Sequence, residues 1–325
     1  MKRFIQLCIL LLLITPAAAQ PFPNKPVTMI VVFSPGGATD LLARIAAEHM
    51  SRTLGQRIVV ENVTGAGGTL GGARGAQAAP DGYTLTVGSM GSHSAAPTIY
   101  ASSIKYNPLE LEPVGLIGGT PLYLAVRNDF PAKTFKEYAD YVKANPGKVS
   151  LAHAGVGSTN HLASLLLVHL TGLKFNSVAY RGEAPAAGDI VAGHIDSSGL
   201  FSPAAVPHLQ AGKMRALLVA QTERSPATPD VPTSREAGID QFLLQGWSAV
   251  FAPKDTPKPV IAKLSEALRA AVADPTVRKR IEELGALPAT PETSTPEYFG
   301  RMLKSDVERW AVVIKASGMA EQTPN

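Results

Sequence analysis

Residues 27–33 read Val-Thr-Met-Ile-Val-Val-Phe, apolar throughout rather than alternating, as in a strand buried on both faces. Ser34-Pro35-Gly36-Gly37 breaks the run. A helical repeat follows over 39–54, with Ala43, Ala46, Ala47, Met50 and Leu54 on one face and Gly55 as its stop. Residues 57–61 form a second strand. The turn Gly65-Ala66-Gly67-Gly68 and a short helix over 70–79 lead through Pro80-Asp81-Gly82 to a third strand at 83–88. Strands and helices in alternation indicate a layered α/β domain with a mostly parallel sheet.

The pattern then restarts. A strand at 122–126 precedes a helix over 134–144, closed by Asn145-Pro146-Gly147. A strand at 149–153 enters a helix over 158–170, which places Leu162, Leu165, Leu166 and Leu170 on one face. Strands at 177–180, 194–197 and 215–220 complete this second set. A further strand at 246–251, an amphipathic helix over 259–273 and a last helix over 295–316 follow. The reading is a two-lobe α/β protein. One lobe comprises 20–121 and 246–325, the other 122–245, with crossings near 122–126 and 247–251. Two such lobes bind ligands between them, at the carboxyl ends of the strands.

The N-terminus adds a location. Lys2 and Arg3 precede the apolar stretch 4–14, too short for a membrane span, and Ala17-Ala18-Ala19 offers a cleavage site before Gln20. The expected mature chain is periplasmic. Loss of residues 1–19 takes away Lys2 and Arg3 and lowers the formal charge from +4 to +2 over 306 residues. That charge, without basic runs among aromatics, argues against nucleic acid as a partner. The single cysteine, Cys8, lies in the leader, so disulfide and thiolate chemistry are excluded from the mature chain.

Most catalytic signatures are absent. Gly65-Ala66-Gly67-Gly68-Thr69-Leu70 and Gly155-Val156-Gly157-Ser158-Thr159-Asn160 each lack the third glycine of a dinucleotide loop. There is no phosphate loop and no nucleophile elbow around Ser89, Ser92 or Ser94. His93 reads as a polar loop histidine. His161 and His169 stand about 12 Å apart along one helix, too far to share a metal. No cofactor and no metal are expected.

Three loops share one design, in which a strand passes through small residues into a helix start. They are Phe33-Ser34-Pro35-Gly36-Gly37-Ala38-Thr39-Asp40, His153-Ala154-Gly155-Val156-Gly157-Ser158-Thr159-Asn160, and Gly88-Ser89-Met90-Gly91-Ser92-His93. Glycines let backbone N–H groups approach a ligand, and a helix N-terminus adds positive potential. Two such loops on opposing lobes could grip an anion. The expectation is a carboxylate held by N–H groups of 36–39 and by the Ser158 turn, without a dedicated arginine.

Taken in order, these motifs resemble the solute receptors of tripartite tricarboxylate transporters, the Bug family. The resemblance covers nearly the whole mature chain. It rests on Pro23-Asn24-Lys25-Pro26, Phe33-Ser34-Pro35-Gly36-Gly37 with Asp40 and Arg44, Val60-Glu61-Asn62 with Gly65-Ala66-Gly67-Gly68, and Pro80-Asp81-Gly82-Tyr83-Thr84-Leu85. Later come Lys143-Ala144-Asn145-Pro146-Gly147-Lys148, Gly155-Val156-Gly157-Ser158 with His161-Leu162, Tyr180-Arg181-Gly182, Pro229-Asp230-Val231-Pro232-Thr233, and Ala252-Pro253 with Thr256-Pro257.

The resemblance implies a periplasmic binding protein fold, type II-like, with the ligand cleft between the lobes. It implies a monomer that catalyses nothing, binds a small carboxylate through main-chain groups and water, and closes to meet a membrane permease. Carried over, the ligand residues are Phe33, Ser34, Gly36, Gly37, Ala38, Thr39 and Asp40 on one side. Gly155, Gly157, Ser158, Thr159 and Asn160 stand opposite, with Ser89, Ser92, Tyr180 and Arg181 in support; Arg181 has an interlobe or surface role as its alternative. Leu200 stands where many members have an acid, which implies a less polar ligand or one lacking an amino group. The competing readings are an exported hydrolase-like enzyme and a module that feeds a sensor kinase.

Overall fold

The computed structural model describes residues 22–316; the leader read at 1–19 lies outside them. The first lobe opens with β1 (Val27–Val31), α1 (Ala38–Leu54), β2 (Ile58–Asn62), α2 (Thr69–Ala76) and β3 (Thr84–Ser89). β1 runs parallel to both β2 and β3, and Val27, Met29 and Val31 are fully buried, as an uninterrupted apolar run requires. Gly55 ends α1 in the left-handed conformation, φ 67°, where a side chain would be strained.

After the short α3 (Ala96–Ile99) comes β4 (Glu112–Arg127), the longest strand. Its first part, Glu112 to Pro121, pairs with β9 (Gln245–Ala252). From Leu122 onward it pairs instead with β7 (Ser197–Phe201) and β8 (Met214–Val219). The sequence reading caught only the second part. Pro113, Gly115, Gly118, Gly119 and Pro121 look like loop residues, and two irregularities in register accommodate them.

The second lobe contains α4 (Phe135–Ala144), β5 (Ser150–His153), α5 (Thr159–Thr171), β6 (Asn176–Ala179), α6 (Glu183–Val191) and α7 (Ser202–Gln210). β7 occupies 197–201, so the strand read at 194–197 is displaced toward the C-terminus. The chain returns between Ala220 and Leu244, whose backbones are hydrogen-bonded at 3.1 Å; the crossing read near 247–251 therefore falls earlier, since those residues lie within β9, paired with β3 and the first part of β4. α8 (Lys258–Ala273), α9 (Pro275–Glu283), the short β10 (Leu287–Pro288) and α10 (Pro296–Ala316) follow.

Overall the strand order is β2-β1-β3-β9-β4-β7-β5-β6, with β8 and β10 also on β4. α10 reaches both lobes: Ile314 is buried in a cluster with Ile99 of the first lobe and Leu162 of α5. Trp247 Nε1 donates to Asp306 Oδ2 at 2.8 Å and ties β9 to the same helix.

A closed cleft between the lobes

The lobes touch at several points. Gly91 N–H donates to Thr159 Oγ1 at 2.8 Å, and Tyr100 OH to the Val156 carbonyl at 2.6 Å. Between them lies a cleft whose cavity measures about 20 Å³, the size that admits a water molecule. Phe33, Gly37, Ala38 and Thr39 line it from the α1 side, with Ser89 from β3 and Thr120, Gly246, Trp247 and Ser248 from the central strands. Ala154, Thr159, Asn160, Glu183 and Phe201 face them. A groove of about 580 Å³ beside α5 and α10 is larger, but its walls are mainly apolar, among them Leu162, Leu165, Val312 and Val313.

Seven of the expected ligand residues reach the cleft. Phe33, Gly37, Ala38, Thr39, Ser89, Thr159 and Asn160 line it directly. Ser34, in the same loop, does not line the cleft, and its Oγ is buried without a protein partner. Gly36 and Asp40 do other work: the buried Asp40 carboxylate accepts from Gly36 N–H at 2.9 Å, Arg44 Nε at 2.9 Å and Asn62 Nδ2 at 2.8 Å. That network shapes the loop and takes the Gly36 N–H away from any ligand. Gly37 N–H donates to the Ser34 carbonyl at 3.3 Å. Within the turn, Ala38 N–H is the donor that crosses the cleft.

Ser158 is also diverted. Its Oγ accepts from His161 N–H at 3.2 Å as the N-cap of α5, and the residue is fully buried. Gly157 N–H faces His161 Nδ1 at 3.3 Å. Ser92 Oγ bonds Ser89 N–H and His93 Nδ1 inside the first lobe. Gly155, Tyr180 and Arg181 line a separate hollow beyond Phe33, shared with Gly65-Ala66-Gly67-Gly68. Tyr180 OH there donates to Asp189 Oδ2 at 2.6 Å.

His93 is no polar loop residue. It is fully buried, stacked on Phe251 at 4.4 Å, and burial pushes its pKa down to about 3. The Ser92–His93 contact resembles a nucleophile–base pair, yet neither side chain has any exposed surface. Among the described residues no group of His, Cys, Asp and Glu could hold a metal. None of their helices is long and apolar enough to cross a membrane.

Sequence reasoning missed the residue that dominates the cleft. Glu183 opens α6, is 7% exposed, and holds a carboxylate between the lobes. Its Oε2 accepts from Ala38 N–H at 3.0 Å, and its Oε1 from Asn160 Nδ2 at 2.7 Å and Phe201 N–H at 2.8 Å. Burial pushes its pKa above the ordinary carboxylate range, while the hydrogen bonds from Phe201, Asn160 and Ala38 oppose the shift. Leu200, by contrast, faces away from the cleft into the second-lobe core beside Tyr123, Ala125 and Ile190. It makes no cleft contact, and the ligand polarity inferred from it has no structural basis; the acid in this cleft is Glu183.

The sequence matches the family described as the tripartite tricarboxylate transporter family receptor over residues 42–319. This chain belongs to that family. The receptor is 35% identical to protein BugT of Bordetella pertussis, over 93% of this chain and 92% of that one. It is 39% identical to a UPF0065 protein of Agrobacterium vitis, over 98% and 92%. Its fold is that of the periplasmic binding protein BugD, with a TM-score of 0.88 and 39% identity over 92% of this chain and 99% of that one. MatC of Rhodopseudomonas palustris, solved with bound malate, superposes with a TM-score of 0.87 and 40% identity over 90% and 100%. An R. palustris protein solved with adipate gives 0.86 and 30% identity over 91% and 98%. The two-lobe fold expected from the repeated α/β pattern is thus the fold of the family.

Proposed function

We propose that this receptor works in the periplasm, takes up a small carboxylate between its lobes, and delivers it to the membrane subunits of a tripartite transporter. The observation that carries the reading is the Ala38 N–H. It sits at the N-terminus of a 17-residue helix, faces the second lobe, and is already bonded to a carboxylate, that of Glu183. A helix N-terminus whose N–H bonds a carboxylate across the cleft forms a seat for such a group. Malate and adipate in two relatives support the same ligand class.

Loading closes the lobes about two connections, the bend of β4 between Pro121 and Leu122 and the return segment between Ala220 and Leu244. The mature chain starts near Gln20 and acts as a monomer. No catalysis is assigned to it, since the Ser92–His93 pair is sealed from solvent. The test is a thermal-shift screen of the mature protein, unfolded and refolded to strip carried ligand, against a panel of small carboxylates. A true ligand at one hundred times its Kd stabilises by about 2.7 kcal/mol. If no carboxylate raises the unfolding temperature, the reading fails.

A further inference from the structure

Resting on the cleft as a carboxylate site, we infer that Glu183 makes this receptor select a ligand carrying a positively charged nitrogen as well as a carboxylate, an ammonium carboxylate rather than a plain dicarboxylate. The cleft-lining side chains include this single carboxylate and no lysine, arginine or histidine. A second anion entering beside Glu183 meets like charge in a site that water does not screen. Malate and adipate, held by relatives, bring two such charges each.

The geometry gives the complementary ligand a definite form. Ala38 N–H belongs to the first lobe and Glu183 Oε2 to the second, and they bond each other at 3.0 Å. Parting the lobes to admit a ligand separates a donor with positive helix potential from an ionisable acceptor. Glu183 Oε1 keeps its bonds from Asn160 and Phe201, which hold the carboxylate in place. A zwitterion satisfies both ends at once, its carboxylate on Ala38 and its cation on Glu183 Oε2. A dicarboxylate satisfies one end and opposes the other. Phe33, Phe201 and Trp247 also line the cleft, and aromatic rings attract ammonium groups.

Titration calorimetry on the refolded mature protein decides this, with two matched pairs of probes, L-aspartate against L-malate and 4-aminobutanoate against succinate. The wild type is expected to bind at least one ammonium member about tenfold or more tighter than its partner. Glu183→Gln removes the charge and keeps the shape. It should weaken that ammonium ligand by about thirtyfold or more and abolish or invert the preference. Glu183→Ala serves as a second variant, and circular dichroism confirms that both fold.

If the wild type binds the dicarboxylates as well as or better than the ammonium members, the inference is overturned while the receptor reading stands. If both variants tighten all four probes alike, Glu183 is a tethered competitor for the ligand seat, and the inference is again overturned. If no probe and no carboxylate of the wider screen binds wild type or variants, it is the receptor reading itself that fails.

Discussion

Asp40 and Glu183 are both acids in the first turn of a helix, and both are buried. Their partners give them opposite roles. Asp40 is answered by the cation of Arg44 and by Asn62 within its own lobe; Glu183 has no cation and reaches across to the other lobe. The sequence pointed to Asp40 because it adjoins the glycine turn. It did not point to Glu183, since an acid in a helix's first turn is commonplace and its partner Ala38 lies 145 positions away. His93 carries a pH dependence at this same scale. Its folded pKa, about 3, lies below the ordinary 6.5, so the unfolded chain takes up a proton that the folded chain refuses. Its contribution is intact above about pH 6.5 and is lost as pH falls toward 3, at up to about 1.4 kcal/mol per pH unit. Urea titrations from pH 7 to 4 should show wild type losing stability faster than His93→Phe, which keeps the stack on Phe251. Parallel slopes for the two proteins would contradict this.

Elements with a strong local signal were legible. β1, α1 and α5 follow from an apolar run, a helical face and glycine stops, within a residue or two at either end. β4 was half hidden because its glycines and prolines are tolerated only through pairing with β9, a strand more than a hundred residues away in sequence. The start of α5 separates two meanings of one residue. Ser158 looked like a ligand group, but its Oγ caps the helix. Ser158→Ala should therefore lower the stability measured in urea by about 1 kcal/mol and leave the ligand Kd unchanged within about twofold. A large loss of affinity at unchanged stability would return Ser158 to the ligand.

For the whole molecule, two glycines mark where the lobes meet. A Cβ on Gly67 would strike the Val156 carbonyl, and one on Gly91 the backbone of Thr159. Gly67 has φ 62°, so a substitution there also strains its own loop. Gly91 carries no such strain and is the cleaner wedge: Gly91→Ala should keep the fold, hold the lobes apart, and weaken ligand binding. The two-lobe plan itself was readable from the restart of the α/β pattern, because periodicity is local. The cleft contacts were not, because each joins residues far apart in the chain.

Trp247 lines the cleft, and the only other tryptophan, Trp310, sits on α10. In a Trp310→Phe background, Trp247 fluorescence reports ligand entry directly. Titrating refolded, ligand-free protein with the carboxylates that stabilise it should give a saturable change at one ligand per chain, shifted to much higher concentration by Gly91→Ala. A titration with no saturable change for any carboxylate, or one that Gly91→Ala leaves untouched, would contradict capture between closing lobes.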